Sequence, residues 1–115
     1  MRRFASQSIG VEQGDALVFS EFEDGGAMWT GQGSRERRRT ITFSEPYKSR
    51  PVVQVAMSML DADTSVNLRC ECIAEHITRD GFDLVFKTWS DSRVARVRLT
   101  WIAFGELGFA DDWDV

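Results

Sequence analysis

The chain has 115 residues, 43% of them hydrophobic and 28% charged, with a formal net charge of −4. That length points to one domain able to build its own core, and the composition excludes a disordered polar chain. The acidic balance argues against a protein that tracks nucleic-acid phosphates, so no nucleic-acid partner is expected.

The opening segment "MRRFASQSIGVEQGD" carries two arginines but no apolar run that would serve as a signal core, and no window approaches the roughly 20 apolar residues of a membrane span. The expectation is a soluble protein without a visible export signal, its cellular location left open. From there the dominant pattern is strict alternation. A first strand is expected across "VEQGDALVFS", followed by turn signals at 23–26 and 31–33. A short strand is expected at "RTITF"; the basic run "RERRR" before it is read as a solvated loop edge in preference to a site for an anionic sugar or phosphate. Pro46 and Pro51 bracket a connection that no central strand would tolerate.

In "PVVQVAMSML" the alternation places Val53, Val55, Met57 and Met59 on one face. Asp61 and Asp63 stand in the next turn signal, where capping is their expected task. In "VNLRCECIAE" the inward set is Leu68, Cys70, Cys72 and Ala74. Two cysteines at i and i+2 on one strand face are poorly placed to bridge, so they are expected to be reduced and packed in the core. His76, the only histidine, falls beyond that strand, and a structural zinc wants four ligands, so neither a metal nor another cofactor is expected. No nucleophile, base and orienting group recur together, which argues against an enzyme. After a turn at 78–81, "FDLVFKTW" turns Phe82, Leu84 and Phe86 inward, and "VRLTWIAF" does the same with Val97, Leu99, Trp101 and Ala103. Six such strands with frequent turns predict an all-β, six-stranded antiparallel sandwich. The domain is expected to span residues 1–105. Residues 106–115 form an acidic tail, either free or an arm that lays Trp113 on a neighbouring surface.

Reflecting the hairpin about its turn places Arg69 opposite or diagonal to Trp89, both in the outward set of their strands. An indole face can stack on the apolar side of a sugar ring, and a guanidinium fork donates hydrogen bonds in fixed geometry. The same pair can also serve as a cation–π cover for the sheet or an oligomer interface. The outward faces include Val52, Ala56, Ile73, Val85, Ile102 and Phe104, more apolar surface than a free monomer should expose, and a symmetric oligomer would bury it.

The blocks "MWTGQGSRERRRTITFSEPYKSRPVVQVAMSMLDAD", "NLR", "GFDLVFKTWSDSRV" and "LTWIAFGEL", in that order, resemble the H-type lectin domain family of snail agglutinins and discoidin C-terminal domains, from about Val11 to Gly105. The resemblance implies a six-stranded sandwich assembled as a homotrimer or a hexamer. It also implies sugar sites between protomers that take galactose or N-acetylgalactosamine. Arg69 matches the family's sugar-binding arginine and Trp89 its packing aromatic. Ser90 stands where the snail lectin has histidine, with Asp91 next to it, and Ala95 where several members carry a pocket-closing tyrosine. The family's aspartate from the neighbouring chain aligns near Gln32, with Asp24 or Glu36 as substitutes, and the loop from Thr30 to Gln32 would supply the partner-chain contacts. The expected function is a non-catalytic carbohydrate-binding module. The alternative is a structural or adaptor trimer, for example a particle or phage-like appendage, that keeps the scaffold with a degenerate sugar site.

Overall fold

The structure, a computed structural model, describes residues 1–5 and 7–108. Six strands form, β1 (Ile9–Ser20), β2 (Arg35–Thr42), β3 (Val52–Ala62), β4 (Cys70–Glu75), β5 (Gly81–Thr88) and β6 (Val94–Glu106), with one short helix α1 (Ala27–Thr30) after β1. All pairings are antiparallel. Two three-stranded sheets result, in the orders β1-β6-β3 and β2-β5-β4, so the expected sandwich is the observed fold. The two most buried strands, β5 and β6, are central in their sheets, where both neighbours satisfy their backbone groups.

The core lies where those strands face each other. Leu84 and Phe86 of β5 and Val97, Leu99 and Ala103 of β6 are fully buried, with Phe82 and Trp101 nearly so. Each large side chain removed from water in this way stabilises the fold by roughly 1.5–3 kcal/mol. At one end Phe43, Phe82 and Trp101 form an aromatic cluster with centroids 5.3–6.1 Å apart, and Tyr47 donates its hydroxyl to the Ala103 carbonyl at 3.2 Å. Gly14 pairs with Trp101, and a Cβ there would come within 2.9 Å of the indole, so the ring packs where only glycine leaves room. Both cysteines are free thiols, packed against the core as expected, and burial pushes both thiol pKa values up.

Several details depart from the sequence reading. Bulges in both β1 and β3, between Leu17 and Phe19 and between Met57 and Met59, flank the same level of β6. The extra residue in β3 reverses the alternation. Leu60 therefore takes the place opposite Val97 and packs on the core, while Met59, expected inward, pairs with outward-facing Arg98. Met57 keeps the inward register but, on an edge strand, stays 40% exposed. β4 starts only at Cys70, so Leu68 is not an inward strand residue; it lies in the preceding loop and is 45% exposed. "RERRR" is not a loop edge, because β2 begins at Arg35 and its arginines are engaged. Arg37 pairs with Glu21 at 2.8 Å, Arg38 with Glu36, Glu75 and Asp83, and Arg39 donates to the Leu17 carbonyl. Strand pairing brings Arg37, Arg38 and Arg39 to partners that include residues far along the chain. Asp63 does cap its turn, accepting from the Ser65 amide and hydroxyl, whereas Asp61 pairs with Arg96 across the sheet. The C-terminal segment from residue 109, with Trp113, lies outside the described residues.

Candidate functional site

The end of β5 and the start of β6, the end of β3 and the start of β4, and the end of β1 and the start of β2 all gather at one end of the sandwich. Three connections meet there: residues 21–34, 63–69 and 89–93. Arg35 fastens the first to the third. Its guanidinium donates to the carbonyls of Ala27, Met28, Gly33, Ser90 and Ser92, at 2.9–3.3 Å. Desolvation lowers its pKa, and those carbonyls are acceptors for its partly buried donors. Arg93 ties in the second connection, pairing with Asp63 at 3.0 Å, donating to the Trp29 carbonyl at 3.0 Å and lying 4.2 Å from the Trp29 ring centroid. Gly33, at φ +78°, donates its amide to the Ser90 carbonyl at 2.9 Å.

On this frame the sandwich holds Arg69 and Trp89. Cys70 pairs with Thr88 as the last rung of the ladder, and Arg69 and Trp89 are the residues that follow it on either strand, the level at which the hairpin reflection put them opposite or diagonal. Two buried hydroxyls fix the Arg69 backbone. Ser92 Oγ accepts from the Arg69 amide at 2.8 Å and donates to the Asn67 carbonyl at 2.9 Å, while Thr88 Oγ1 donates to the Arg69 carbonyl at 2.6 Å. Thr88 and Ser92 are 1% and 0% exposed, so each hydroxyl needs those partners. With its backbone held, Arg69 is exposed and its side chain makes no hydrogen bond or ion pair to any described residue, and Trp89 is 39% exposed.

The other expected site residues are gathered here to different degrees. Ser90 follows Trp89 with φ +62°, a left-handed turn that exposes its side chain. Asp91 closes the turn, and its Oδ1 is buried without a hydrogen-bond partner. Gln32 is exposed on the loop that Gly33 fastens to Ser90. Thr30 ends α1 with its hydroxyl spent on the Gly25 and Gly26 carbonyls at 3.0 and 3.1 Å. Of the two substitute carboxylates, Asp24 caps its own turn at the Gly26 amide, whereas Glu36 faces the indole side. Ala95 is buried and walls nothing.

A cleft of about 240 Å³ opens beside Trp89, lined by Ser34, Arg35, Glu36, Glu71, Lys87 and Thr88. Glu36, Lys87 and Glu71 are one row across β2, β5 and β4. Sequence reasoning passed over Glu71 and Lys87, and it also passed over Thr88, Ser92, Arg35 and Arg93, which shape the site from behind. A polar Thr88 at the inward position after Phe86 was the signal available, because a buried hydroxyl implies a backbone to hold.

Residues 38–104 match the H-type lectin domain, and the chain belongs to that family. It is 50% identical over 108 residues to a Fuscovulum blasticum protein described as ATP synthase subunits region ORF 7, covering 94% of both chains. Discoidin-2 of Dictyostelium discoideum is 35% identical over 75 residues, 64% of this chain and 29% of that protein. The solved structure of wild-type discoidin II from the same organism superposes with a TM-score of 0.76 at 26% identity, covering 91% of this chain and 40% of that one. The chain therefore spans less than half the length of the discoidins it matches. Among the described residues, no helix is long and apolar enough to cross a membrane.

Proposed function

We propose that the chain is a non-catalytic carbohydrate-binding module that takes a galactose or N-acetylgalactosamine-type sugar in a groove between protomers of a homotrimer. The observation that carries this reading is the Arg69 guanidinium, unpaired among the described residues, near the partly exposed Trp89, with the Arg69 backbone held at the end of an H-type lectin sandwich by two buried hydroxyls. The indole offers an apolar face for a sugar ring. The guanidinium supplies paired donors for ring and substituent oxygens. Ser90 and Asp91 stand in the same turn to contribute polar contacts, and the loop with Thr30 and Gln32 reaches toward the neighbouring protomer. Such sites are shallow, and useful avidity comes from several acting together.

A glycan array followed by calorimetry with galactose and N-acetylgalactosamine tests this reading. Arg69→Ala is expected to weaken binding by roughly 10- to 100-fold, the loss of one charge-assisted hydrogen-bonding group. Light scattering is expected to give a trimer mass. Unchanged binding in Arg69→Ala would remove that residue from the site, and a stable monomer would remove the composite groove.

Two observations favour a second reading, a structural or adaptor trimer with a degenerate sugar site. Thr30 and Asp24 are spent on their own backbone, and Ala95 is buried where a pocket wall is expected. A trimer that binds no glycan on the array would establish that reading instead.

A further inference from the structure

We infer that the cleft between Trp89 and the Glu36–Lys87–Glu71 row is a second sugar subsite, so that the preferred ligand is an oligosaccharide of neutral sugars. This rests on the proposed sugar-binding function and adds the class of glycan. Trp89 is common to both places: Arg69 lies at the same ladder end, and the cleft opens on its other neighbours one row further along the same sheet face.

The cleft has the mixed lining that a polyhydroxylated ring requires. The Glu71 carboxylate is exposed and makes no hydrogen bond or ion pair with any described residue, so its oxygens are free to accept from sugar hydroxyls. Glu36 gives Oε2 to Arg38, and among the described residues its Oε1 accepts no hydrogen bond. Lys87 spends its ammonium on Glu75 at 3.0 Å and has two further N–H groups. Ser34 adds a hydroxyl, and Trp89 an apolar wall. Arg35 contributes no hydrogen bonds to a ligand, because the turn carbonyls take its donors. At about 240 Å³ the cleft falls below the roughly 300–1,000 Å³ of drug-sized sites, which suits a single ring.

Charge sets the class further. The charged side chains lining the cleft balance, Glu36 and Glu71 against Arg35 and Lys87, and both cations are engaged within the protein, Arg35 with turn carbonyls and Lys87 with Glu75. A sialylated or sulfated unit would find no unengaged cation in the lining and would meet the Glu36 and Glu71 carboxylates, so the cleft favours a neutral second sugar.

Calorimetry on the whole protein with galactose, a panel of neutral galactose-terminated disaccharides of different linkage, and sialylated lactose tests the subsite. At least one neutral disaccharide is expected to bind about tenfold more tightly than galactose, and sialylated lactose no more tightly than galactose. Glu71→Gln, which breaks no hydrogen bond or ion pair with any described residue, is expected to cut the disaccharide gain to less than about threefold while galactose affinity changes by less than twofold. Equal affinity for galactose and every disaccharide, or a gain that survives both Glu71→Gln and Glu71→Ala, overturns the subsite and leaves the first site standing. Binding of no sugar at all overturns both.

Discussion

On the outer face of the β2-β5-β4 sheet Val85, opposite Arg38 and Ile73, is fully buried; on the outer face of the β1-β6-β3 sheet Val11, opposite Phe104, is 65% exposed. Both valines belong to the solvent side of their strands, and the difference comes from their neighbours. Arg38 reaches Glu36, Glu75 and Asp83 at 2.6–3.1 Å, and Lys87 reaches Glu75 at 3.0 Å. Holding those heads on carboxylates lays the aliphatic stems across the sheet. The first sheet thus makes its own cover and is free to present a polar cleft. On the second, the T-shaped stack of Phe4 on Phe104, 6.1 Å between centroids, covers one end, and Ile9, Val11 and Ile102 stay exposed. A face of that kind is finished by a second copy, and the proposed trimer supplies one.

The sharpest way to break this comparison is to charge the uncovered face. The double variant Val11→Asp with Ile102→Asp is expected to abolish self-association and leave a folded monomer by light scattering and circular dichroism. A variant that remains a trimer would put the interface elsewhere. The next effect is on stability. Val85→Ala deletes a fully buried side chain and is expected to cost about 2 kcal/mol in urea denaturation. Val11→Ala, measured under conditions where the protein is monomeric, is expected to change stability by less than about 0.5 kcal/mol. Equal costs for the two valines would mean that the ion pairs do not shield Val85.

How much of this was legible in the sequence follows from what each feature depends on. Alternation is local, so six strands and the inward sets of β5 and β6 were readable from the spacing of Phe82, Leu84, Phe86, Val97, Leu99 and Trp101. The β4–β5 register that brings Arg69 and Trp89 to the same ladder end was also readable, because a tight hairpin fixes register by reflection. The β3 bulge was not: an extra residue is defined only against the partner strand, and Met57, Ser58 and Met59 look like unbroken alternation. Nor were the fates of the arginines in "RERRR", whose acceptors at Glu21, Glu75, Asp83 and Ser92 lie on other elements. The cleft stayed hidden for the same reason, since Glu36, Lys87 and Glu71 become neighbours only once three strands are in register.

Acid sharpens the comparison most gently. The hydrogen bonds from His76 first, then Thr40 and Arg38, hold the Asp83 carboxyl below its ordinary pKa, and Lys87 followed by Arg38 does the same for Glu75. A carboxyl whose folded pKa is depressed contributes stability that is complete above its unfolded value. That value is roughly 3.9 for aspartate and 4.3 for glutamate, and the contribution is lost as pH falls through the lower folded value. Stability is therefore expected to be level from pH 7 to about 5 and to fall below about pH 4, when protonation takes acceptors from Arg38 and Lys87 and loosens the cover over Val85. Asp83→Asn is expected to be less stable than the wild type at pH 7 yet to show a shallower acid decline, because the neutral amide has no proton to gain. Denaturation midpoints at pH 7, 5, 4 and 3 for both proteins check this, and parallel curves would show that the ion pairs over Val85 play no part in the acid response.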